Sequence, residues 1–388
     1  MEYKLRDYQQ EAVSRAVEFF RKGGAGNGLL VLPTGAGKSL VIAAIAKELD
    51  EPVLVFQPSK EILEQNYAKM CSHTGGLGVG VFSASAGRKE VCRITFATIG
   101  SVKGCKERFL RFRYCIIDEC HNVNANEGMY KDFIDYTKCK VIGLTATPYR
   151  LSSSLEYGSI LKFLTRTRPR VFDQLIYYVQ VKTLLDRGYL AKMEYYPLRI
   201  VDQSKLRVNS TGADFSEASV RMYYNRIKFA DQLKQIVQRL LNAGRQSVLV
   251  FTRFTTEAEA LARMIDAPSA VVTGETPKSE RERILAAFKA GEINVVANVG
   301  VLTTGFDYPE LATVVLARPT MSLALYYQMV GRAIRPFKDK VSWVVDLCGN
   351  YLRFGAVEDL VLTERAPRMY AIESRGRQLT NVYFNQPQ

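Results

Sequence analysis

A glycine-rich loop between a strand-like and a helix-like segment constrains this chain more than any other feature. Residues 28–32 are apolar and predict a buried strand, while residues 40–49 have the composition of a helix. The loop between them reads Pro-Thr-Gly-Ala-Gly-Lys-Ser. Backbone N–H groups of such a loop can wrap nucleotide phosphates, because glycine lacks the Cβ that would block close approach. The sequence therefore predicts a nucleotide site formed by Thr34, Gly35, Ala36, Gly37, Lys38 and Ser39.

Two side chains of this loop carry the expected chemistry. Lys38 is expected to reach the β- and γ-phosphates, and the Ser39 hydroxyl is expected to hold Mg²⁺. The usual pattern begins with glycine, whereas this chain has Leu32 at that position. The alternative interpretation is a glycine-rich turn without a ligand. The strand before the loop and the helix after it favour a nucleotide with Mg²⁺ as the ligand.

The overall charge is basic and suits a polyanionic partner. Among 388 residues, 53 Lys and Arg stand against 39 Asp and Glu, which gives a net charge of +14. This surplus favours nucleic acid, and a merely basic surface is the alternative. No apolar run reaches the ~18 residues of a membrane span, and the first residues lack a signal-peptide core. We therefore expect a cytoplasmic protein without membrane contact.

Cysteine and histidine usage argues against a metal site built from these residues. The seven cysteines contain no C-x-x-C pair and are expected to be reduced thiols. The two histidines, His73 and His121, are too few for a His-rich site.

An apolar segment followed by two carboxylates supplies the expected catalytic pair. Residues 114–117 are Tyr-Cys-Ile-Ile, and Asp118 and Glu119 follow them. A strand here delivers both carboxylates to the carboxyl edge of a parallel sheet, where ligands of open α/β sheets bind. Asp118 is expected to hold Mg²⁺, and Glu119 is expected to act as general base toward the attacking water. The alternative is a pair of carboxylates that caps a helix.

Hydroxyl and amide side chains near other predicted elements are weaker candidates. Thr145 and Thr147 follow a strand predicted over 141–144 and could connect the carboxylates to an opposite surface. Gln9 lies at the start of the first predicted helix, and its amide can pair with both the donor and the acceptor of an adenine edge. An ordinary surface helix start is an equal alternative for Gln9.

The second half of the chain shows a second alternation of helices and strands. Helices are predicted over 231–242, 257–265 and 278–289, and strands over 247–251, 270–272, 293–297, 314–316 and 342–345. This alternation predicts a second parallel sheet without a phosphate loop, whose role is to complete the first site. Arg332 and Arg335 are three residues apart on one face of a predicted helix and could neutralise a γ-phosphate. An ordinary basic helix face is the alternative.

Together these motifs resemble those of a superfamily 2 helicase of the DExH type, with an Asp-Glu-Cys-His box. They occur in the family's order at Gln9 and at residues 33–39, 58–60, 118–121, 145–147, 304–307 and 328–335. The second half is most similar to the bacterial RadD branch, in residues 301–307, 318–320, 328–336 and 346–355. That branch is linked with DNA recombination and repair and carries a C-terminal cysteine-rich zinc element. In this chain Cys348 is the one cysteine after residue 139.

The resemblance implies an α/β fold of two tandem RecA-like domains. Each would be a mostly parallel sheet flanked by helices, with ATP and nucleic acid bound at the inter-domain cleft. The implied domains are residues 1–196 and 226–355. A linker or irregular segment at 197–225 would join them, and a C-terminal tail would follow at 356–388.

The resemblance also implies roles for individual residues. Gln9 and Asp307 would contact the nucleotide in addition to the loop, and Arg332 and Arg335 would be arginine fingers. Coupling between the domains would involve His121, Thr145, Thr147 and Gln328. Weaker candidates for nucleic-acid contact are Lys60, Thr98, Arg253 and Thr304.

The expected function is an ATP-driven DNA helicase or translocase in repair, recombination or replication. The alternatives are an RNA helicase, an ATP-gated nucleic-acid clamp that never unwinds, and a small-molecule kinase. Paired arginines in a second domain without an obvious acceptor pocket argue against the kinase. We expect DNA rather than RNA as the partner, replication or repair proteins as further partners, and a monomer.

Overall fold

The chain forms two compact units in a computed structural model that describes residues 4–154, 158–303 and 307–384. The first unit contains Met1–Arg150, Lys162–Gln180 and Leu362–Ala371. The second contains Leu151–Leu161, Val181–Val361 and Ile372–Gln388. Each unit is built around its own mostly parallel sheet.

The strands and helices alternate along most of the chain. The strands are β1 Gly28–Val31, β2 Val53–Phe56, β3 Val79–Ser83, β4 Arg88–Lys89, β5 Ile94–Ala97, β6 Tyr114–Asp118, β7 Lys140–Thr145, β8 Tyr149–Ser154, β9 Gly158–Phe163, β10 Gln174–Tyr178, β11 Lys192–Pro197, β12 Val248–Thr252, β13 Ser269–Val272, β14 Val295–Val299, β15 Thr313–Ala317, β16 Val341–Asp346, β17 Leu360–Ala366, β18 Met369–Ser374, β19 Arg377–Gln378 and β20 Tyr383–Phe384. The helices are α1 Asp7–Arg21, α2 Lys38–Glu48, α3 Lys60–Thr74, α4 Ile99–Val102, α5 Met129–Thr137, α6 Val181–Asp186, α7 Glu217–Arg226, α8 Phe229–Asn242, α9 Thr255–Met264, α10 Lys278–Ala290, α11 Leu323–Val330 and α12 Asn350–Phe354.

The first sheet has the strand order β10-β1-β7-β6-β2-β5-β3-β4, and its pairs are parallel except β3 with β4. Its inner strands are continuous apolar runs, such as Val-Leu-Val-Phe in β2, and they are buried on both faces. Helix α1 buries apolar residues at helical spacing, from Ala12 to Phe20.

The register of this sheet brings three strand ends together. Val31 at the end of β1 pairs with Thr145 at the end of β7, and Asp118 at the end of β6 pairs with Leu144. The loops after these three adjacent strands therefore leave the same edge of the sheet. This edge is the carboxyl edge at which α/β proteins bind ligands.

The second sheet has the order β11-β16-β15-β12-β14-β13, and every pair in it is parallel. Two small three-stranded sheets, β17-β18-β19 and β20-β9-β8, complete the topology of the described residues. The predicted fold class, two mostly parallel sheets with helices, is confirmed.

The unit boundaries differ from the predicted domain boundaries at the linker. Residues 197–225 lie within the second unit, and they include most of helix α7. Their apolar side chains Val201, Leu206, Phe215 and Val220 belong to that unit's buried core. The sequence gives little sign of these core residues, because residues 202–220 are mostly polar and their apolar side chains are widely spaced.

The predicted C-terminal tail also contains structure. Strands β17, β18 and β19 form a small sheet within residues 356–388, and Leu362–Ala371 belongs to the first unit. In the part of the chain that the structure describes, no helix has both the length and the apolar character needed to cross a lipid bilayer.

Candidate nucleotide site

The phosphate loop connects β1 to α2, as the sequence predicts. Gly35 and Gly37 have φ values of +83° and +79°, a region that residues with a Cβ rarely adopt. At Gly37 a Cβ would also lie 2.5 Å from the Gln9 amide nitrogen. Helix α2 begins at Lys38, so its first backbone N–H groups, which have no partner within the helix, belong to the loop. This arrangement is suited to an anion.

Helix α1 holds the loop from behind. The Tyr8 hydroxyl and the Gln9 amide nitrogen both donate to the carbonyl oxygen of Ala36, at 2.9 and 2.8 Å. The Gln9 side-chain oxygen accepts from the backbone N–H of Arg6 at 2.9 Å, and the side chain is buried. Gln9 thus fixes the loop, and adenine reading by Gln9 stays a prediction. Sequence reasoning missed Tyr8, although it stands next to Gln9.

Asp118 is a buried carboxyl at the end of β6. Burial, followed by the nearby charge of Glu119, raises its pKa to about 7, and Lys38 partly opposes this shift. Its oxygens accept from the backbone N–H of Glu119 at 2.9 Å and from the Asn66 amide at 3.5 Å. The same Asn66 amide group donates to Gln57 at 3.0 Å. Asn66 and Gln57 are site residues that no local pattern indicates, because their partner lies 52 residues beyond Asn66.

The buried carboxyl fits a Mg²⁺ ligand on chemical grounds. Mg²⁺ prefers oxygen ligands and is usually held by one or two carboxylates together with substrate phosphates. A cation beside Asp118 would favour the ionised form that burial now disfavours. In the described ranges no group of three His, Cys, Asp or Glu side chains forms a cage for a metal. This is expected for an ion that shares its ligands with a nucleotide.

Glu119 connects the loop to the next strand end. Its Oε1 lies 3.4 Å from the Lys38 ammonium, and its Oε2 lies 3.4 Å from Nδ1 of His121. Both partners are mostly buried, with 13% and 11% of their side chains exposed. Glu119 itself has a left-handed backbone with φ of 48°. Such a conformation costs energy in a residue other than glycine and often marks functional sites.

His121 joins the carboxylates to the hydroxyls after β7. Its Nδ1 lies 2.9 Å from the Thr145 hydroxyl and 3.1 Å from the Thr147 hydroxyl. Burial of the ring lowers the pKa of His121, which favours a neutral imidazole. Thr145 also accepts from the backbone N–H of Thr147 at 3.0 Å, so the two threonines form one rigid turn. The structure therefore brings together four predicted residues: Glu119, His121, Thr145 and Thr147.

The predicted arginine pair lies in the second unit, beyond a helix rather than on it. Helix α11 ends at Val330, and Arg332 and Arg335 follow in a turn. The prediction that one helix face carries both is wrong, because Gly331 ends the helix before them. The Nε of Arg332 donates to the carbonyl oxygen of Gln328 at 3.3 Å, and this arginine is 8% exposed.

Arg335 is paired with the predicted nucleotide contact Asp307. Its Nη1 lies 2.9 Å from Oδ1 of Asp307. The contact has the distance of an ion pair but not hydrogen-bond alignment, and Oδ1 is buried without a hydrogen-bond partner among the described residues. A residue that sequence reasoning missed, Lys340, holds the same turn. Its ammonium donates to the carbonyl oxygens of Ala333 and Leu311 at 3.0 and 2.9 Å.

The weaker candidates for nucleic-acid contact have different surroundings. Lys60 lies at the start of α3, 3.5 Å from Glu64, and the Thr98 hydroxyl bonds those of Ser83 and Ser101 at 3.2 and 2.9 Å. Thr304 lies outside the described residues.

Arg253 is a structural anchor in this structure. Its side chain is 8% exposed, pairs with Asp214 at 2.9 Å, and donates to the carbonyl oxygen of Phe215 at 3.0 Å. These bonds hold the segment predicted as a linker against the buried core of the second unit. This geometry does not support a strand contact by Arg253.

Both halves of the chain match known protein families. Residues 2–150 match the family described as the res subunit of type III restriction enzymes, and residues 228–336 match the helicase conserved C-terminal domain. The chain is similar to superfamily 2 helicases. The first match contains the phosphate loop and the carboxylates, and the second contains Arg332 and Arg335.

Individual relatives and solved structures agree with these matches. A 51.5 kDa protein of a Lactococcus phage is 27% identical over 83% of this chain and 66% of its own length. The DNA 3'-5' helicase XPB of Kineococcus radiotolerans is 27% identical over 87% of this chain and 58% of its own length. A fragment described as the HsdR subunit of a type I restriction enzyme from Vibrio vulnificus has a TM-score of 0.68 at 23% identity. The match covers 92% of this chain and 66% of the fragment.

The structural likeness confirms the fold of two tandem RecA-like domains. The first curated relatives are longer proteins, and the chain spans between 49% and 66% of their lengths.

Proposed function

We propose that this chain is an ATP-dependent DNA helicase or translocase. One observation carries the proposal: side chains from three strand ends form a continuous polar chain at the edge of the first sheet. It runs from Lys38 through Glu119 and His121 to Thr145 and Thr147, with links of 2.9 to 3.4 Å. Such a chain joins a phosphate-binding cation to a base and to hydroxyls beyond it. This is the connection that an ATPase needs if hydrolysis is to move another part of the molecule.

The first steps follow from the ion pair between Lys38 and Glu119. The Lys38 ammonium is expected to exchange this carboxylate for the β- and γ-phosphates of ATP. Glu119 then accepts the proton of the attacking water while the bond between the γ-phosphorus and the bridging oxygen breaks. His121, whose lowered pKa favours the neutral imidazole, holds the freed carboxylate in place and passes changes in its position to Thr145 and Thr147.

Ser39 and Asp118 would hold Mg²⁺, which supplies positive charge to the β- and γ-phosphate oxygens. The remaining residues of the loop, Thr34 to Gly37, would donate backbone hydrogen bonds to the same phosphates.

Residues of the second unit are proposed to complete hydrolysis. Arg332 and Arg335 would stabilise charge on the γ-phosphate during turnover, and Gln328 would couple their position to the nucleotide. The buried Asp307 oxygen would receive a hydrogen bond from the nucleotide. Gln9, in addition to its bonds with the loop, would read adenine.

Nucleic acid is the proposed track, and DNA is favoured over RNA. The chain is basic, and the relative from Kineococcus is a DNA 3'-5' helicase by name. Lys60, Thr98 and Thr304 stay candidates for strand contact. A DExH-type helicase of the RadD branch, acting as a monomer in the cytoplasm in DNA repair, recombination or replication, is the more specific form of the proposal.

A single assay series tests the proposal. The ATP turnover of the purified chain is measured without nucleic acid, with single-stranded DNA, with duplex DNA and with RNA of equal length. We expect turnover to rise with DNA more than with RNA, and strand displacement or translocation to require hydrolysis. Equal turnover in all four conditions would contradict the motor function and would support a nucleotide-binding protein instead. Stimulation without any displacement or movement would replace the motor by an ATP-gated clamp.

A further inference from the structure

A second basic surface lies in the first unit, away from the phosphate loop. It is an open cleft of about 580 Å³, called here the arginine cleft, and four arginines line it: Arg166, Arg168, Arg170 and Arg368. All four are exposed. The proposed ATPase chemistry uses none of them.

The position of the arginine cleft separates it from the nucleotide site. Gly26, which lines the cleft, precedes β1, and Gln174, which also lines it, begins β10. These two strands are parallel, with Gly28 opposite Gln174. The cleft therefore lies at the amino edge of the sheet, whereas the phosphate loop follows the carboxyl end of β1. A four-residue strand separates the two edges by roughly 13 Å.

The charges of the cleft are not neutralised within the protein. In the described ranges, Arg166, Arg170 and Arg368 form no ion pair, and Arg168 bonds only the adjacent carbonyl oxygen of Thr167, at 2.9 Å. One acid, Asp173, lines the cleft, and its Oδ2 accepts the backbone N–H of Asn27 at 2.7 Å. Four guanidiniums around one such acid make a strongly positive concave surface, which attracts anions.

A further feature points to a ligand. Thr165, which is 5% exposed, lines the cleft, and its hydroxyl has no hydrogen-bond partner among the described residues.

We propose that the arginine cleft binds the phosphate backbone of duplex DNA. Sites for single strands combine basic grooves with aromatic rings on which bases stack. Among the described residues that line this cleft, none is aromatic. A duplex keeps its bases inside and presents phosphates, so arginines suffice to bind it. The inference rests on the proposed function, to which it adds a duplex contact at the opposite sheet edge.

The test replaces the three unpaired arginines together. Duplex DNA binding of Arg166→Gln/Arg170→Gln/Arg368→Gln is measured by fluorescence anisotropy, without nucleotide, over a series of salt concentrations. A control with equal loss of charge is Arg15→Gln/Lys47→Gln/Arg239→Gln, at exposed positions of α1, α2 and α8. A triple lysine variant of the cleft keeps the charge.

We expect the glutamine variant to bind duplex DNA at least tenfold more weakly than wild type at low salt. Its log–log salt slope should be smaller by about 2 to 3, since each phosphate contact contributes about 0.9. The lysine variant and the control should keep the wild-type slope. Binding of single-stranded DNA, ATP turnover without DNA and the melting temperature should stay near wild type.

Other outcomes overturn the inference. A glutamine variant with the slope of the control would show that the cleft does not contact DNA. If pyrophosphate binds the cleft arginines in a Lys38→Ala background while duplex affinity is unchanged, the ligand is a small phosphate compound instead. Wild-type protein that binds no DNA at all would refute the proposed function and this inference together. If the wild type binds duplex DNA and the glutamine variant binds it equally well, only the role of the arginine cleft would be refuted.

Discussion

The ammonium of Lys38 lies 3.4 Å from a carboxylate oxygen of Glu119. The side chain expected to bind phosphate and the side chain expected to act as base therefore neutralise each other. Phosphate and carboxylate compete for the same cation under the proposed function. Binding of ATP would then release the base at the moment when the γ-phosphate arrives.

Glu119→Gln should bind ATP more tightly and hydrolyse it slowly. The amide removes the competitor for Lys38 and the negative charge that repels the γ-phosphate, but it cannot accept the proton of water. We expect turnover to fall by roughly 10²- to 10⁴-fold, the usual contribution of a general base. Steady-state ATPase assays and nucleotide titrations measure the two effects. Glu64→Gln, an exposed acid paired with Lys60, is the control. Turnover near wild type would exclude Glu119 as the base.

Lys38→Ala should abolish turnover and also lower stability. The Lys38 side chain is 13% exposed, so its removal leaves a mostly buried carboxylate without its cation. We expect the free energy of unfolding in urea to fall by about 1–3 kcal/mol. Adding Glu119→Gln should recover most of this loss, because the unpaired charge disappears. Strictly additive losses in the double variant would mean that the two side chains do not interact.

Asp118 should make the protein less stable as pH rises from about 4 to 7. Its folded pKa is raised to about 7 from 3.8, so the folded state binds more protons than the unfolded state in this window. The free energy of unfolding should therefore fall by up to about 1.4 kcal/mol per pH unit through this group. Asp118→Asn should remove that dependence and be more stable than wild type at pH 8, without added Mg²⁺.

Urea unfolding at pH 5 and pH 8 checks this prediction. Comparison of variant and wild type at both values cancels most of the titration of other groups, such as His121. Asp135→Asn, which removes an exposed acid on α5, serves as the control. An unchanged pH dependence in Asp118→Asn would mean that Asp118 is ionised throughout.

Lys340→Met should weaken the turn that carries the two arginines. The ammonium donates to the carbonyl oxygens of Pro309, Leu311 and Ala333, and the Ser342 hydroxyl also donates to Ala333. Methionine keeps most of the volume but leaves carbonyl groups without a donor. We expect a loss of about 1–3 kcal/mol in the free energy of unfolding. Lys338→Met, at an exposed position two residues earlier, is the control, and an equal effect of both would contradict this role.

The sequence predicts the strands whose apolar runs are continuous. Strands β1 and β6 agree within one residue with the apolar segments predicted at 28–32 and 114–117, because both strands are buried on both faces. Strand β3 contains Gly80 between two valines, which interrupts its apolar run. Strands β10 and β11 have no fully buried residue, so their sequences lack the pattern of a buried strand. Strands at sheet edges are held by backbone pairing that composition does not reveal.

The residues of the candidate site also divide into those that the sequence reveals and those that it does not. Lys38, Asp118 and Glu119 belong to short motifs, so their chemistry is recognisable from adjacent residues. Asn66 and Lys340 act on partners that are distant in the sequence, and only the folded chain shows them. The helix predicted at the arginines fails for a local reason, since Gly331 ends α11.

Arg335→Ala tests whether the second unit takes part in hydrolysis. In the structure Arg335 pairs with Asp307 at 2.9 Å and is 30% exposed, so alanine should leave the fold of its unit intact. ATP binding without DNA should stay near wild type. DNA-stimulated turnover should fall by roughly 10³-fold or more, the usual effect of a lost arginine finger. Arg335→Lys should not restore turnover, because a point charge cannot reproduce the planar guanidinium.

Arg283→Ala, which breaks an exposed pair with Glu280, is the control for Arg335→Ala. Wild-type turnover of Arg335→Ala on DNA would mean that the first unit hydrolyses ATP without this arginine, and the proposed motor would lose its link between the two units.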